Sequence, residues 1–139
     1  MCLDLVNEVK VRKTNKSYEN GIAYKVMEKD WDDEKYFNSV CRGTGKYTFN
    51  KWYHEKDFRD MEYRKNTTIL ASDFLVSYPL GFHSFINHKD ASCYHKEHFS
   101  YSRVVVKVRV KKVVATGFQG EFPIIVSKEI RFIKIIDER

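Results

Sequence analysis

Apolar and polar positions alternate most regularly in the last third of the chain. Val104, Val106, Val108 and Val110 share one parity, and Lys107, Arg109 and Lys111 take the other. This period-two pattern predicts a strand with one apolar face and one largely cationic face. Residues 124–126 read as a short strand. Residues 130–136 carry Ile130, Phe132, Ile133, Ile135 and Ile136 on both parities, as a strand buried on both sides would. The stretch 116–121, TGFQGE, reads as the loop between them. Further upstream, Ile22, Tyr24 and Val26 predict a first strand over 21–29.

The middle of the chain is less periodic. Residues 30–34 are acidic and read as a loop, and 43–46, GTGK, as a turn. Tyr47 and Phe49 suggest a short strand over 47–50. Residues 51–66 mix charge and aromatics without a period and read as irregular. The apolar stretch 67–78 fits either a strand or a short buried helix. Pro79 and Gly81 punctuate the chain before Phe82, His83, Ser84 and Phe85. A helix is then predicted, with Asn87 as N-cap and Asp90 at its third position, a variant of the capping box. Its inner stripe is Ala91, Tyr94, His95 and His98. The elements together predict an α+β class: a mostly antiparallel twisted sheet with one or two short helices, in a single domain over 1–139.

Composition narrows this picture only a little. The 139 residues are 42% hydrophobic and 15% aromatic, enough for one packed core. With 25 basic and 19 acidic residues the net charge is +6, which favours acidic partners such as nucleic acid, a nucleotide or an acidic protein surface. Cys2, Cys41 and Cys93 are odd in number and far apart. No disulfide framework is readable from them, and the reducing cytosol is the expected compartment. No apolar run reaches membrane-spanning length, and the N-terminus lacks the layout of a secretory signal. The expectation is no membrane partner, with a homo-oligomer left open.

Three groups of residues bear on chemistry. His83, His88, Cys93, His95 and His98 fall close together, but their spacing matches no zinc finger, so no metal is expected and the histidines read as polar or core-packed. Lys107, Arg109 and Lys111 form a row that suits a phosphate backbone or nucleotide. The other reading of that row is a solvated strand kept from aggregation by its charges. Trp52 and Tyr53, with Phe58 beyond them, add an aromatic surface, and His83 joins them as a binding candidate. GTGK lacks the spacing of a phosphate loop.

Short motifs carry a resemblance. Met1-Cys2-Leu3, Tyr24-Lys25-Val26, Gly81 to Phe85, Asp90-Ala91, the valine strand, Gly117 to Gly120 and Ser127 to Ile133 together resemble a group of small phage and bacterial proteins. The same order resembles, more distantly, the ADP-ribosyltransferase fold. That second likeness implies Ser84 and Glu129 as catalytic positions, with Tyr24 and Lys25 where the family has Arg or His, and NAD as cofactor. It departs again at Ile86, where the family pattern has a second serine. The first likeness implies an accessory protein without a cofactor that binds and inhibits a host component, such as a defence system. Its ligand would be a host protein, a nucleic-acid site or a nucleotide signal. A nucleic-acid-binding module is the third reading.

Overall fold

The computed structural model describes residues 21–29, 37–39, 47–54, 68–70, 77–79, 81–97, 102–119 and 121–138. The acidic stretch 30–34, the 43–46 turn, Cys2, Cys41, Phe58, His98 and Gly120 lie outside the described residues. The fold is α+β, mostly antiparallel sheet, with one helix among the described residues. In chain order the elements are β1 (Ile22–Lys29), β2 (Phe37–Ser39), β3 (Trp52–His54), β4 (Thr68–Leu70), β5 (Ser77–Pro79), β6 (Phe82–Phe85), α1 (His88–Glu97), β7 (Arg103–Gln119) and β8 (Phe122–Glu138).

Every named strand pair is antiparallel. β7 and β8 form a long hairpin from Gln119↔Phe122 to Val104↔Glu138. β1 lies along β7 from Ile22↔Arg109 to Glu28↔Arg103. β6 lies along the start of β8, from Phe82↔Ser127 to Phe85↔Ile124, and touches β1 at Tyr24↔Phe85. β1, β7, β8 and β6 therefore close a ring of pairings. β3 extends the far half of β8, with Trp52↔Arg131 and Tyr53↔Ile130, and β2 extends β1. β4 and β5 pair separately, so the ends of the apolar stretch 67–78 are strand.

The hairpin departs from the sequence reading in two respects. Residues 116–119 continue β7 instead of looping, and 124–126 and 130–136 belong to one strand. The polar residues Ser127, Lys128 and Glu129 suggest a break by composition. Cross-strand partners on β6, β7 and β3 satisfy that backbone, so the strand runs on through them. Register shifts between Val105 and Val106, Lys107 and Val108, and Val113 and Ala115 absorb the extra residues as bulges.

Alternation along each strand divides the sheet into two faces. On the first, Ala23, Met27, Val104, Val106, Val108, Val110, Ile125, Ile130 and Phe132 pack with Tyr47, Tyr53 and Phe82. Tyr47 lies edge-on to Tyr53 at 5.1 Å and tilted over Phe132 at 4.9 Å. Asn50 donates its backbone N–H to the Phe132 carbonyl at 2.9 Å, which fixes this aromatic group against β8. Burial pushes the Tyr47 hydroxyl pKa upward, and nearby Tyr53 adds to the effect.

On the second face Val26, Phe85, Val105, Ala115, Ile124 and Val126 meet Ala91 and Tyr94 of α1. The helix begins where the sequence predicts, directly after Asn87. Asn87 accepts from the Ala91 N–H at 3.2 Å, and its side-chain amide donates to Asp90 Oδ2 at 3.0 Å. Ala91, Tyr94 and His95 are buried, matching three of the four predicted stripe positions. His95 Nε2 lies 3.0 Å from the Arg103 carbonyl, so the ring donates there and ties α1 to the start of β7.

Gly81 marks the tightest approach. A Cβ there would sit 2.6 Å from the Ser127 carbonyl oxygen and 2.8 Å from Val126 Cγ1. Only a residue without a side chain lets β6 lie this close to β8.

Candidate nucleic-acid interface

The second face changes character beyond the helix. Its parity continues from Val105 through Lys107, Arg109 and Lys111, where the side chains become half-buried and then exposed. Register supplies their neighbours. Lys107 faces Lys134 and Arg109 faces Arg131, while Lys111 faces Glu129. On the β1 side Tyr24 is opposite Lys107 and Ile22 opposite Arg109. On the far side Trp52 is opposite Arg131 and His54 opposite Glu129. Because Tyr53 packs on the first face, Trp52 and His54 belong to the second.

Two like-charge pairs therefore stand side by side. Directly opposed residues in an antiparallel pair have Cβ atoms about 4.5–5.5 Å apart, and like charges so placed are destabilising. Five cations share this patch: Lys107, Arg109, Lys111, Arg131 and Lys134. The one carboxylate in the same rows, Glu129, is drawn to Lys112 Nζ at 3.8 Å. Among the described residues the patch thus carries a net positive charge.

Aromatic groups border it. Lys111 Nζ sits 4.1 Å from the Trp52 ring centroid, an exposed cation–π contact of about 0.5–1 kcal/mol. Tyr24 stacks on His88, the first residue of α1, with ring centroids 5.3 Å apart and planes 22° from parallel. Arg131 Nη2 donates to Asn50 Oδ1 at 3.4 Å. Its Nε is shielded from water with no hydrogen-bond partner among the described residues, so a donor on the patch is left unmet.

Of the residues singled out in the sequence, Lys107, Arg109, Lys111 and Trp52 are brought together here. Tyr53 is buried on the first face, where its hydroxyl accepts from the Thr48 N–H at 2.8 Å. His83 is buried on the second face opposite Val126, away from the cationic row. Burial holds its pKa well below the ordinary value of 6.5, and nearby positive charge, Lys25 included, pushes the same way against a hydrogen bond to the Gly81 backbone. Arg131 and Lys134 join the patch only through cross-strand register, which the chain's linear order does not display.

The three transferase positions are not brought onto one surface. Ser84 faces Ile125 on the first face and is buried, whereas Glu129 faces Lys111 on the second and is half-buried. Tyr24 is half-buried on the second face, stacked on His88. The histidine–cysteine cluster disperses as well: His95 bonds Arg103, His88 stacks on Tyr24, and Cys93 is exposed beside Glu97. No group of three metal-ligating side chains occurs among the described residues. No helix there is long and apolar enough to cross a membrane. No protein-family model, curated protein or solved structure matches the chain.

Proposed function

We propose that this chain is a small binding protein whose open β1–β7–β8–β3 face takes single-stranded nucleic acid. The observation that carries this reading is the pair of like-charge cross-strand neighbours, Arg109–Arg131 and Lys107–Lys134. A sheet surface with no ligand gains nothing from opposed cations, whereas a phosphate backbone laid across them relieves the repulsion and releases counterions. Trp52 supplies a flat ring at the edge of the patch. Base stacking on an aromatic side chain contributes about 1–3 kcal/mol, more than the Lys111 contact it would displace. A single strand offers both the phosphates and the free base faces this arrangement needs. The proposed setting is the cytosol, with the protein acting as an accessory factor of the phage type that occupies a host nucleic-acid site.

Fluorescence anisotropy with labelled oligo(dT) and oligo(U) tests this at several salt concentrations. For about three neutralised phosphates of a single strand, log K falls with log salt at a slope of about −2. Arg109→Ala with Arg131→Ala lowers the magnitude of that slope. Trp52→Ala weakens binding about fivefold or more and leaves the slope alone. Absence of binding at low salt, or binding indifferent to salt, defeats the proposal. Equal loss in a duplex assay would show that Trp52 does not read free bases.

A further inference from the structure

Among the described residues, the buried polar side chains of Lys25, Ser84 and Ser127 stand on the first face beside its apolar residues and tyrosines. Lys25 lies between Ala23 and Met27 on β1, and both of those neighbours belong to the first cluster. Its relative exposure is 4%. Tyr24 pairs with Phe85, so the antiparallel register carries Lys25 opposite Ser84. The Lys25 ammonium donates to the His83 carbonyl at 2.7 Å. Ser84 faces Ile125, and Ser127 faces Phe82 one step along the same pair of strands. Ser84 and Ser127 are 2% and 0% exposed, and neither hydroxyl has a hydrogen-bond partner among the described residues.

The chemistry of this group is one-sided. An ammonium has three N–H donors, and one is used on His83. Two of its donors and two serine hydroxyls remain on the same patch of the buried face. A buried charge is ordinarily paired with one of opposite sign, because its removal from water is otherwise costly. Among the described residues the hydrogen-bond partner of Lys25 is a neutral carbonyl. A buried hydroxyl left without a partner is also costly, and here two occur on the same buried face as the cation.

From this geometry we propose a small-anion site on the first face, in which the Lys25 ammonium and the Ser84 and Ser127 hydroxyls bind one chloride-sized anion. Lys25 supplies the compensating charge, and the serines supply directed O–H donors. The anion then belongs to the folded state and stabilises it by mass action. This site is separate from the cationic surface, which lies on the opposite face.

The test measures the thermal midpoint of the full chain in sodium chloride and in sodium gluconate at equal ionic strength, since gluconate is too large for such a site. The midpoint is expected to rise with chloride above the gluconate curve. Ser84→Ala and Ser127→Ala, which remove unmet hydroxyls, are expected to fold at least as well in gluconate. Each should raise the chloride dissociation constant about tenfold or more, as loss of a hydrogen bond to a charged group does. Lys25→Met abolishes the chloride effect, and the serine variants keep the test decisive if Lys25→Met does not fold. An Arg109→Ala/Arg131→Ala chain controls for the outer surface and should retain the full chloride response. A bromide-soaked crystal should give an anomalous peak beside Lys25 Nζ. Coincident curves in the two salts, or a chloride response that survives both serine substitutions, overturn the proposal.

Discussion

One face of the sheet serves two opposite purposes a few residues apart. Under α1 it is apolar and excludes charge: Val105, Phe85, Ile124 and Val126 meet Ala91 and Tyr94. Past the first turn of the helix it is open, and Lys107, Arg109 and Lys111 collect opposite Lys134, Arg131 and Glu129. The backbone pairing is continuous across the boundary, so the contrast comes from side chains alone. The covered part holds the fold together through apolar burial, while the open part tolerates repulsion that a purely structural surface would not keep.

The two parts should respond very differently to truncation. Phe85 is 2% exposed and packs 5.4 Å from Tyr94 and 5.9 Å from Phe122, ring centre to ring centre. Phe85→Ala removes transfer energy and leaves a cavity, so about 3–5 kcal/mol of stability should be lost. Lys107→Ala, on the open part, should change stability by no more than about 0.5 kcal/mol. Urea unfolding followed by tryptophan fluorescence measures both. Similar losses for the two variants would erase the distinction between covered and open surface.

Protonation sharpens the same contrast. His83 is buried on the same face opposite Val126, and burial lowers its pKa well below 6.5. Below pH 6.5 the unfolded chain binds a proton that the folded chain refuses. The stability due to His83 is therefore complete above about pH 6.5. It is lost as the pH falls from there toward the lowered value, at up to about 1.4 kcal/mol per pH unit. Denaturant midpoints at pH 7, 6 and 5 should show that decline, and His83→Gln should flatten it. A decline of equal steepness in the variant would assign the effect to other groups.

The parts of the fold that could be read from the chain are those governed by local periodicity. Alternation exposed the valine strand and β1, and Asn87 with the Ala91–Tyr94–His95 stripe exposed α1, because capping and amphipathicity act within a few residues. The continuity of β8 through Ser127 to Glu129 was hidden because strands on both sides set it. The site was half legible for the same reason. Lys107, Arg109 and Lys111 announce themselves by spacing, and Trp52 by its chemistry. Arg131 and Lys134 sit in a segment that reads as apolar and acquire meaning only when β8 is laid against β7. Tyr53 and His83 have the right chemistry for binding, but strand parity and packing bury both.

The finest test turns repulsion into attraction. Arg109 faces Arg131 across the hairpin, and two unit charges about 4 Å apart in water interact by about 1 kcal/mol. Arg109 is exposed, so mobility and salt reduce this to a few tenths of a kcal/mol. Arg109→Glu replaces a like pair with an opposite one and should raise the urea midpoint slightly at low salt. The gain should shrink at 0.5 M salt, where the screening length is about 4 Å. The same substitution places a carboxylate where a phosphate would lie and should abolish oligonucleotide binding. Stability and binding then move in opposite directions at one residue, as expected where a surface keeps a strained charge arrangement for its ligand. A variant that is destabilised at low salt, or whose stability is indifferent to salt, would show that Arg109 and Arg131 do not oppose each other, and the open face would lose its main physical claim to a polyanion.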